Sequence, residues 1–166
     1  MLLLAGALFL LSAFASPRQV LDAGGVVTWV YDGDTIEVEA IGKVRLLGID
    51  TPELEPSERD SYYLRLGVTR KTLRRIARDA LHFNIRHLKG KRVTLEKGDP
   101  PRDDYGRLLA YVFLPDGSMA NLLLIEHGLA TVFRRYSFEH REQFLEAEKI
   151  ARREKRGLWA LAPARK

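Results

Sequence analysis

Asp32-Gly33-Asp34-Thr35 places two carboxylates where one run of β-formers turns into the next, and Asp50-Thr51-Pro52-Glu53 places two more just after a third run. Asp and Gly populate turns for local reasons alone, so the first motif carries little by itself. What lies between adds to it. With Ile41-Gly42 as the two loop residues of a hairpin, Asp34 is expected opposite Ile49 and hence beside Asp50. Carboxylates on neighbouring strands repel, and an isolated charge resists burial; a hard divalent cation removes both penalties. Ca2+ accepts irregular shells of oxygen ligands at roughly 2.3–2.6 Å, and Asp34, Asp50 and the Thr51 carbonyl could supply one side of such a shell. Spacing alone leaves Mg2+ and Mn2+ open. Arg45 lies on the third run and Arg107 opens a later one. A planar guanidinium fork matches the charge that develops on a phosphodiester under attack, which an ammonium does less well. Arg45 and Asp50 are an odd number of residues apart and would face opposite sides of a straight strand. The chain must therefore bend, at Gly48, for both to reach one site.

The elements that must position these groups are short. Val26–Tyr31, Thr35–Glu39 and Val44–Ile49 read as three strands, the second alternating with period two. Glu58–Lys89 reads as helix, with Gly67 able to kink or divide it, and with Leu66, Leu73, Ile76, Ala77, Ala80 and Leu81 on one face and Arg70, Arg74 and Arg78 stacked on another. Arg92–Lys97 is a fourth strand, Gly98–Gly106 a polar loop and Arg107–Leu114 a fifth strand. Met119–His127 and Glu139–Arg156 read as helices, closed by Gly128 and Gly157. Five short strands with a helix between the third and fourth predict an α+β chain built on a five-stranded Greek-key barrel of the OB type, with about three helices. Trp29 and Trp159 are expected in the core. Tyr62, Tyr63, Tyr105 and Tyr136, and as the alternative to the core Trp29, are candidates for base stacking. His82, His87, His127 and His140 show no metal-ligand spacing.

Composition limits the classes open to the chain. Its 166 residues suffice for one domain with a full core. The absence of cysteine excludes disulfides, thiolate zinc sites, iron–sulfur clusters and a thiol nucleophile. Residues 1–55 carry 3 basic and 8 acidic side chains, and residues 56–166 carry 24 basic and 14 acidic. A small acidic cluster facing a broad basic surface suits a cation site in a polyanion-binding protein. Residues 2–15 are uncharged and end in Ala13-Phe14-Ala15. At about 14 residues the run is short of the ~20 a spanning helix needs and fits the core of a secretory signal, so residues 1–15 are expected to direct export. The alternative is a membrane anchor formed by residues 2–15. Residues 16–24 then form a short extension, 25–160 the folded domain and 161–166 a tail.

Three blocks in order carry a resemblance: Tyr31-Asp32-Gly33-Asp34-Thr35, then Arg45 through Asp50-Thr51-Pro52-Glu53, then Asp104-Tyr105-Gly106-Arg107-Leu108-Leu109-Ala110-Tyr111, followed by Asn121–Ala130. The chain resembles the staphylococcal nuclease family over roughly residues 25–160. The resemblance implies a Ca2+-dependent nuclease that hydrolyses DNA and RNA and leaves 3′-phosphates. In its terms Asp34, Asp50 and the Thr51 carbonyl bind the metal, and Asp32 lies near it. Glu53 acts as general base, while Arg45 and Arg107 stabilise the five-coordinate transition state. Tyr105 contacts the nucleotide, and Arg134 and Tyr136 fall near the substrate. The sequence departs from the family at Asp104, where a basic residue is frequent, at Arg134, where an aromatic is frequent, and in the acidic loop Leu54-Glu55-Pro56-Ser57-Glu58. Single-stranded substrate is expected, because a small pocket must reach individual nucleotides; no stable protein partner is expected and the chain reads as a monomer. The rival readings are a non-catalytic nucleic-acid-binding module on the same fold and a membrane-tethered scaffold.

Overall fold

The computed structural model describes residues 23–160; the expected signal segment, most of the extension and the C-terminal tail lie outside the described residues. Five strands close a barrel. They are β1 (Ala23–Val30), β2 (Thr35–Val38), β3 (Gly42–Leu46), β5 (Arg92–Arg102) and β6 (Leu108–Phe113), in the spatial order β1-β2-β3-β6-β5 with β5 returning to β1. All pairings are antiparallel except β3 with β6, which run parallel. A two-residue strand β4 (Ile49–Asp50) pairs with β7 (Thr131–Val132) beside the barrel. The expected OB-type α+β architecture is the one found. Alternation along the strands builds its core: Val27, Ile36, Val38, Val44, Leu46, Val93, Leu95, Ala110 and Val112 all point inward and are buried.

The β2–β3 hairpin differs from expectation. Thr35 pairs with Arg45, Ile36 with Val44 and Val38 with Gly42. The turn therefore contains three residues, Glu39-Ala40-Ile41, and Ala40 has a positive φ of 61°. Asp34 consequently lies beside Leu46, whose N–H donates to its carbonyl at 2.8 Å, and not opposite Ile49. The expected third strand stops at Leu46, because Gly48, at φ +80°, turns the chain out of the barrel before β4 begins. The fourth strand is longer than expected. β5 continues to Arg102 across a register shift between Lys97 and Arg102, and Pro100-Pro101 sit within that irregularity, where no ladder donor is required.

The expected long helix is divided at Gly67 (φ +84°) into α1 (Asp60–Arg65) and α2 (Arg70–His87), which with α3 (Ala120–Glu126) and α4 (Arg141–Arg153) gives four α-helices among the described residues. Thr69 caps α2, its hydroxyl accepting from Thr72 N–H at 3.2 Å. Leu73, Ile76, Ala77, Ala80 and Asn84 form the buried stripe of α2. Asn121 at the start of α3 is fully buried. It accepts from Val112 N–H and donates to the carbonyls of Leu47 and Ala110, tying helix to barrel where β3 leaves the sheet. Gly157–Trp159 is a 3-10 turn that buries Leu158 and Trp159. Two aromatic assignments reverse. Trp29 is 53% exposed on the outside of β1, not in the core, and Tyr63 is buried and closed to stacking on a base. Among the described residues no helix is long and apolar enough to cross a membrane.

Candidate active site

The β1–β2 turn is built locally and then clamped from outside. Asp32 accepts from Asp34 N–H at 2.9 Å, an Asx turn. Asn84 on α2 donates to the carbonyls of Asp32 and Gly33 at 3.2 and 2.9 Å. Gly33 has no room for a side chain, since a Cβ there would lie 2.7 Å from Ala80 and 2.8 Å from Thr51. The turn is thus pressed between α2 and Thr51, which aims Asp34 across to β4.

Asp34 and Asp50 both reach Arg45 despite the altered hairpin register. The bend at Gly48 brings Asp50 back toward the end of β2, and Arg45 on β3 spans the two carboxylates. Its Nη1 lies 2.5 Å from Asp34 Oδ1 and its Nη2 3.2 Å from Asp50 Oδ1. The other oxygen of Asp34 accepts from Thr51 N–H and Thr51 hydroxyl, both at 3.0 Å. Tyr63 on α1 donates to Asp50 Oδ2 at 3.0 Å. Burial pushes Asp34 up, but Arg45 and the two Thr51 donors outweigh it and hold the carboxyl below its ordinary range. Burial and the neighbouring charge of Asp34 raise Asp32 to about 6. Asp34, Asp50 and Thr51 thus gather hard oxygen beside Arg45, with the carboxylate oxygens partnered by Arg45, Arg59, Thr51 and Tyr63. That donor set fits a divalent cation of the Ca2+ class.

Glu53 follows β4 and is partly exposed. Burial, then the charge of Asp34, raises its carboxyl above the ordinary glutamate range. Arg74 donates to the carbonyls of Glu53 and Glu55 and pairs with Asp60. That turns Arg74 away from the stacked arginines of α2 and makes it the brace of the loop bearing Glu53. Arg107 precedes β6. Asp103 holds its Nε at 2.8 Å and its Nη2 at 2.7 Å, leaving Nη1 directed at Thr35 Oγ1, 3.4 Å away and adjacent to Asp34. The structure thus gathers Asp32, Asp34, Arg45, Asp50, Thr51, Glu53 and Arg107.

The outer residues separate. Tyr105 is 85% exposed beside Arg107, whose guanidinium carbon lies 5.4 Å from its ring centre. Tyr136 is 64% exposed and lines a cavity of about 860 Å³ together with Arg45, Arg59, Arg107 and Phe138. Arg134 does not face this cavity. It pairs with Glu148, a buried carboxylate that also accepts from Val132 N–H, and lines a smaller cavity of about 270 Å³ with Asp50 and Arg59. His140 lies 3.2 Å from Glu96 with Glu139 close by, outside the group of site carboxylates.

Sequence reasoning missed Arg59, which pairs with Asp50 and approaches Glu53 Oε1 at 3.6 Å. It also missed Asn84 and Asp103. The Asp103–Arg107 spacing around Gly106 is the one signal the sequence offers, since Asp103 Oδ1 also accepts from Tyr105 N–H and Arg107 N–H at 3.0 Å.

The staphylococcal nuclease homologue family profile matches residues 43–161. The chain belongs to the staphylococcal nuclease family. It is 35% identical over 136 residues to the thermonuclease of Staphylococcus hyicus, covering 79% of this chain and 72% of that one. It is 33% identical over 150 residues to an uncharacterized endonuclease of Escherichia coli, covering 89% and 84%. Over 155 residues it is 31% identical to endonuclease YhcR of Bacillus subtilis, covering 87% of this chain but 12% of that larger one. Arg59 pairs with Asp50 and would compete with a divalent cation drawn to that carboxylate. Arg59→Ala is expected to tighten divalent-cation binding ~5-fold, because it removes a charge-assisted interaction worth ~1 kcal/mol at a partly exposed position; calorimetric titration of Ca2+ checks this.

Proposed function

We propose that the chain cleaves DNA and RNA with Glu53 as general base, Arg45 and Arg107 as phosphate-binding guanidiniums, and a divalent cation, Ca2+ by preference, held by Asp34, Asp50 and the Thr51 carbonyl. As a staphylococcal nuclease family member it is a phosphodiester-hydrolysing nuclease whose substrate is nucleic acid. The observation that carries the mechanism is the Arg45 fork, anchored on Asp34 and Asp50 and opening on the 860 Å³ cavity. A cation bound by those carboxylates would polarise a phosphoryl oxygen and position water.

Arg45 is held rigid by its two anions, so little reorganisation accompanies the build-up of charge on the phosphorus oxygens. Arg107 lines the same cavity, oriented through the two nitrogens that Asp103 occupies. Glu53, with its carboxyl raised by burial and by Asp34, is a stronger base than a solvated glutamate and takes the proton of the attacking water. Arg74 fixes the backbone carbonyl of Glu53 and so braces the loop that carries its carboxylate beside Arg59. Asp32 sits behind Asp34 and orients it through the Asx turn. The leaving oxygen departs as a 5′-hydroxyl and the phosphate stays on the 3′ side. Single strands are favoured, because a paired base cannot reach Tyr136 and Phe138 without leaving its stack.

Digestion of single-stranded DNA with and without chelator, with analysis of the ends, tests this. The expected result is loss of cleavage in chelator, recovery with Ca2+, 3′-phosphate ends, and collapse of the rate in Glu53→Gln. Cleavage insensitive to chelator would remove the cation, and a wild-type rate in Glu53→Gln would remove the base.

A further inference from the structure

The outer face of β1–β2–β3 continues the active site away from the cavity. Along β2 and β3, Ile36, Val38, Val44 and Leu46 fill the barrel, so Thr35, Glu37, Lys43 and Arg45 point outward. Thr35 is the cross-strand partner of Arg45, Glu37 of Lys43, and Trp29 of Glu37. Lys43 therefore stands two residues from the phosphate-binding Arg45 on the same face of the same strand, about 7 Å along it. Tyr31 donates from its hydroxyl to Glu37 at 2.8 Å, which occupies the one carboxylate in the row.

Two aromatic rings on this face are open to solvent, Trp29 at 53% and Tyr31 at 39%. Each carries an ammonium group. Lys89 Nζ lies 4.3 Å from the Trp29 ring and Lys43 Nζ 4.6 Å from that of Tyr31. None of these four side chains lines the catalytic cavity. Large exposed rings beside cations are the two components from which single-strand binding surfaces are made: rings on which bases stack, and cations that meet phosphates.

We propose that this face is a binding track for the stretch of single-stranded nucleic acid beyond the scissile phosphodiester, with bases stacked on Trp29 and Tyr31 and phosphates met by Lys43 and Lys89. The track rests on the nuclease reading for its occupant. It predicts that long strands are held at two places and short ones at the cavity alone.

The chain has two tryptophans, and Trp159 is 2% exposed, so a strand on the track would report through Trp29. In chelator, titration with (dT)12 is expected to quench tryptophan fluorescence, and Trp29→Phe to abolish the quench. Lys43→Gln/Lys89→Gln, both surface positions, is expected to weaken (dT)12 binding at least ~5-fold. It should also flatten the slope of log affinity against log salt by about 1.4, at ~0.7 for each phosphate no longer neutralised. With Ca2+ restored, the same double variant should raise KM for (dT)12 and leave (dT)2 hydrolysis unchanged. An unaltered quench in Trp29→Phe, an unaltered salt slope in the lysine variant, or duplex DNA quenching as strongly as (dT)12 would each overturn the track. A wild-type chain that binds (dT)12 with quenching but hydrolyses neither oligonucleotide would overturn the nuclease reading and leave the track standing.

Discussion

Arg45→Ala is expected to lower kcat/KM on single-stranded DNA at least ~10²-fold, about 2.7 kcal/mol of lost transition-state stabilisation, the scale set by one preorganised donor. The variant should also be less stable. Arg45 neutralises two buried carboxylates at once, and removing one member of a buried ion pair costs ~3–5 kcal/mol. Thr51 still donates twice to Asp34, and Arg59 still pairs with Asp50, which places the cost toward the lower figure. Arg107→Ala is expected to lose turnover on a similar scale with little change in stability, because its partner Asp103 also receives two backbone N–H groups at the edge of the site. Urea unfolding beside steady-state kinetics checks both. Near-wild-type turnover in Arg45→Ala would remove it from the mechanism. Equal destabilisation of the two variants would contradict the difference in burial.

Gly48→Ala is the second large effect. At φ +80° a residue with a Cβ is disfavoured by ~1–2 kcal/mol, and here the new carbon would also lie 2.7 Å from the Phe138 ring. Phe138 packs against Phe144 and lines the cavity, so it yields only by disturbing both. The expected destabilisation is ~2–3 kcal/mol, roughly 5–10 °C in melting temperature for a chain of this size. Turnover should fall at least ~10-fold, because the bend at Gly48 sets where Asp50 arrives and misplacement by about 1 Å is enough. Calorimetry and kinetics on Gly48→Ala, Phe138→Ala and the double variant separate the contributions. If the double variant recovers stability but not turnover, the backbone turn is what the site needs; full recovery of both would reduce the role of Gly48 to making room for a ring.

How much of the fold and site is legible in the sequence follows from how local the causes are. The Asp32–Asp34 turn is written in three adjacent residues, and the bend at Gly48 follows from the parity of Arg45 and Asp50. The hairpin register is not legible, because it hangs on Ala40 adopting a left-handed backbone, which nothing in an alanine announces. Asp34 and Asp50 reach Arg45 all the same, since the Gly48 bend, not strand pairing, brings Asp50 there. Arg74 and Asn84 act on groups 21 and 51 residues away, and only the docking of α2 against the barrel assigns their partners. The resemblance puts Arg134 near substrate, and the structure adds what the sequence does not show, its ion pair with the buried Glu148 on α4. Residue type assigns Trp29 to the core, but strand pairing puts it opposite Glu37 on the outside.

Parallel pairing of Val44 with Leu108 is what carries Arg107 to Thr35. A polypeptide growing from its amino end thus exposes the site's acidic groups, together with Arg45, well before the second guanidinium has been synthesised, let alone docked.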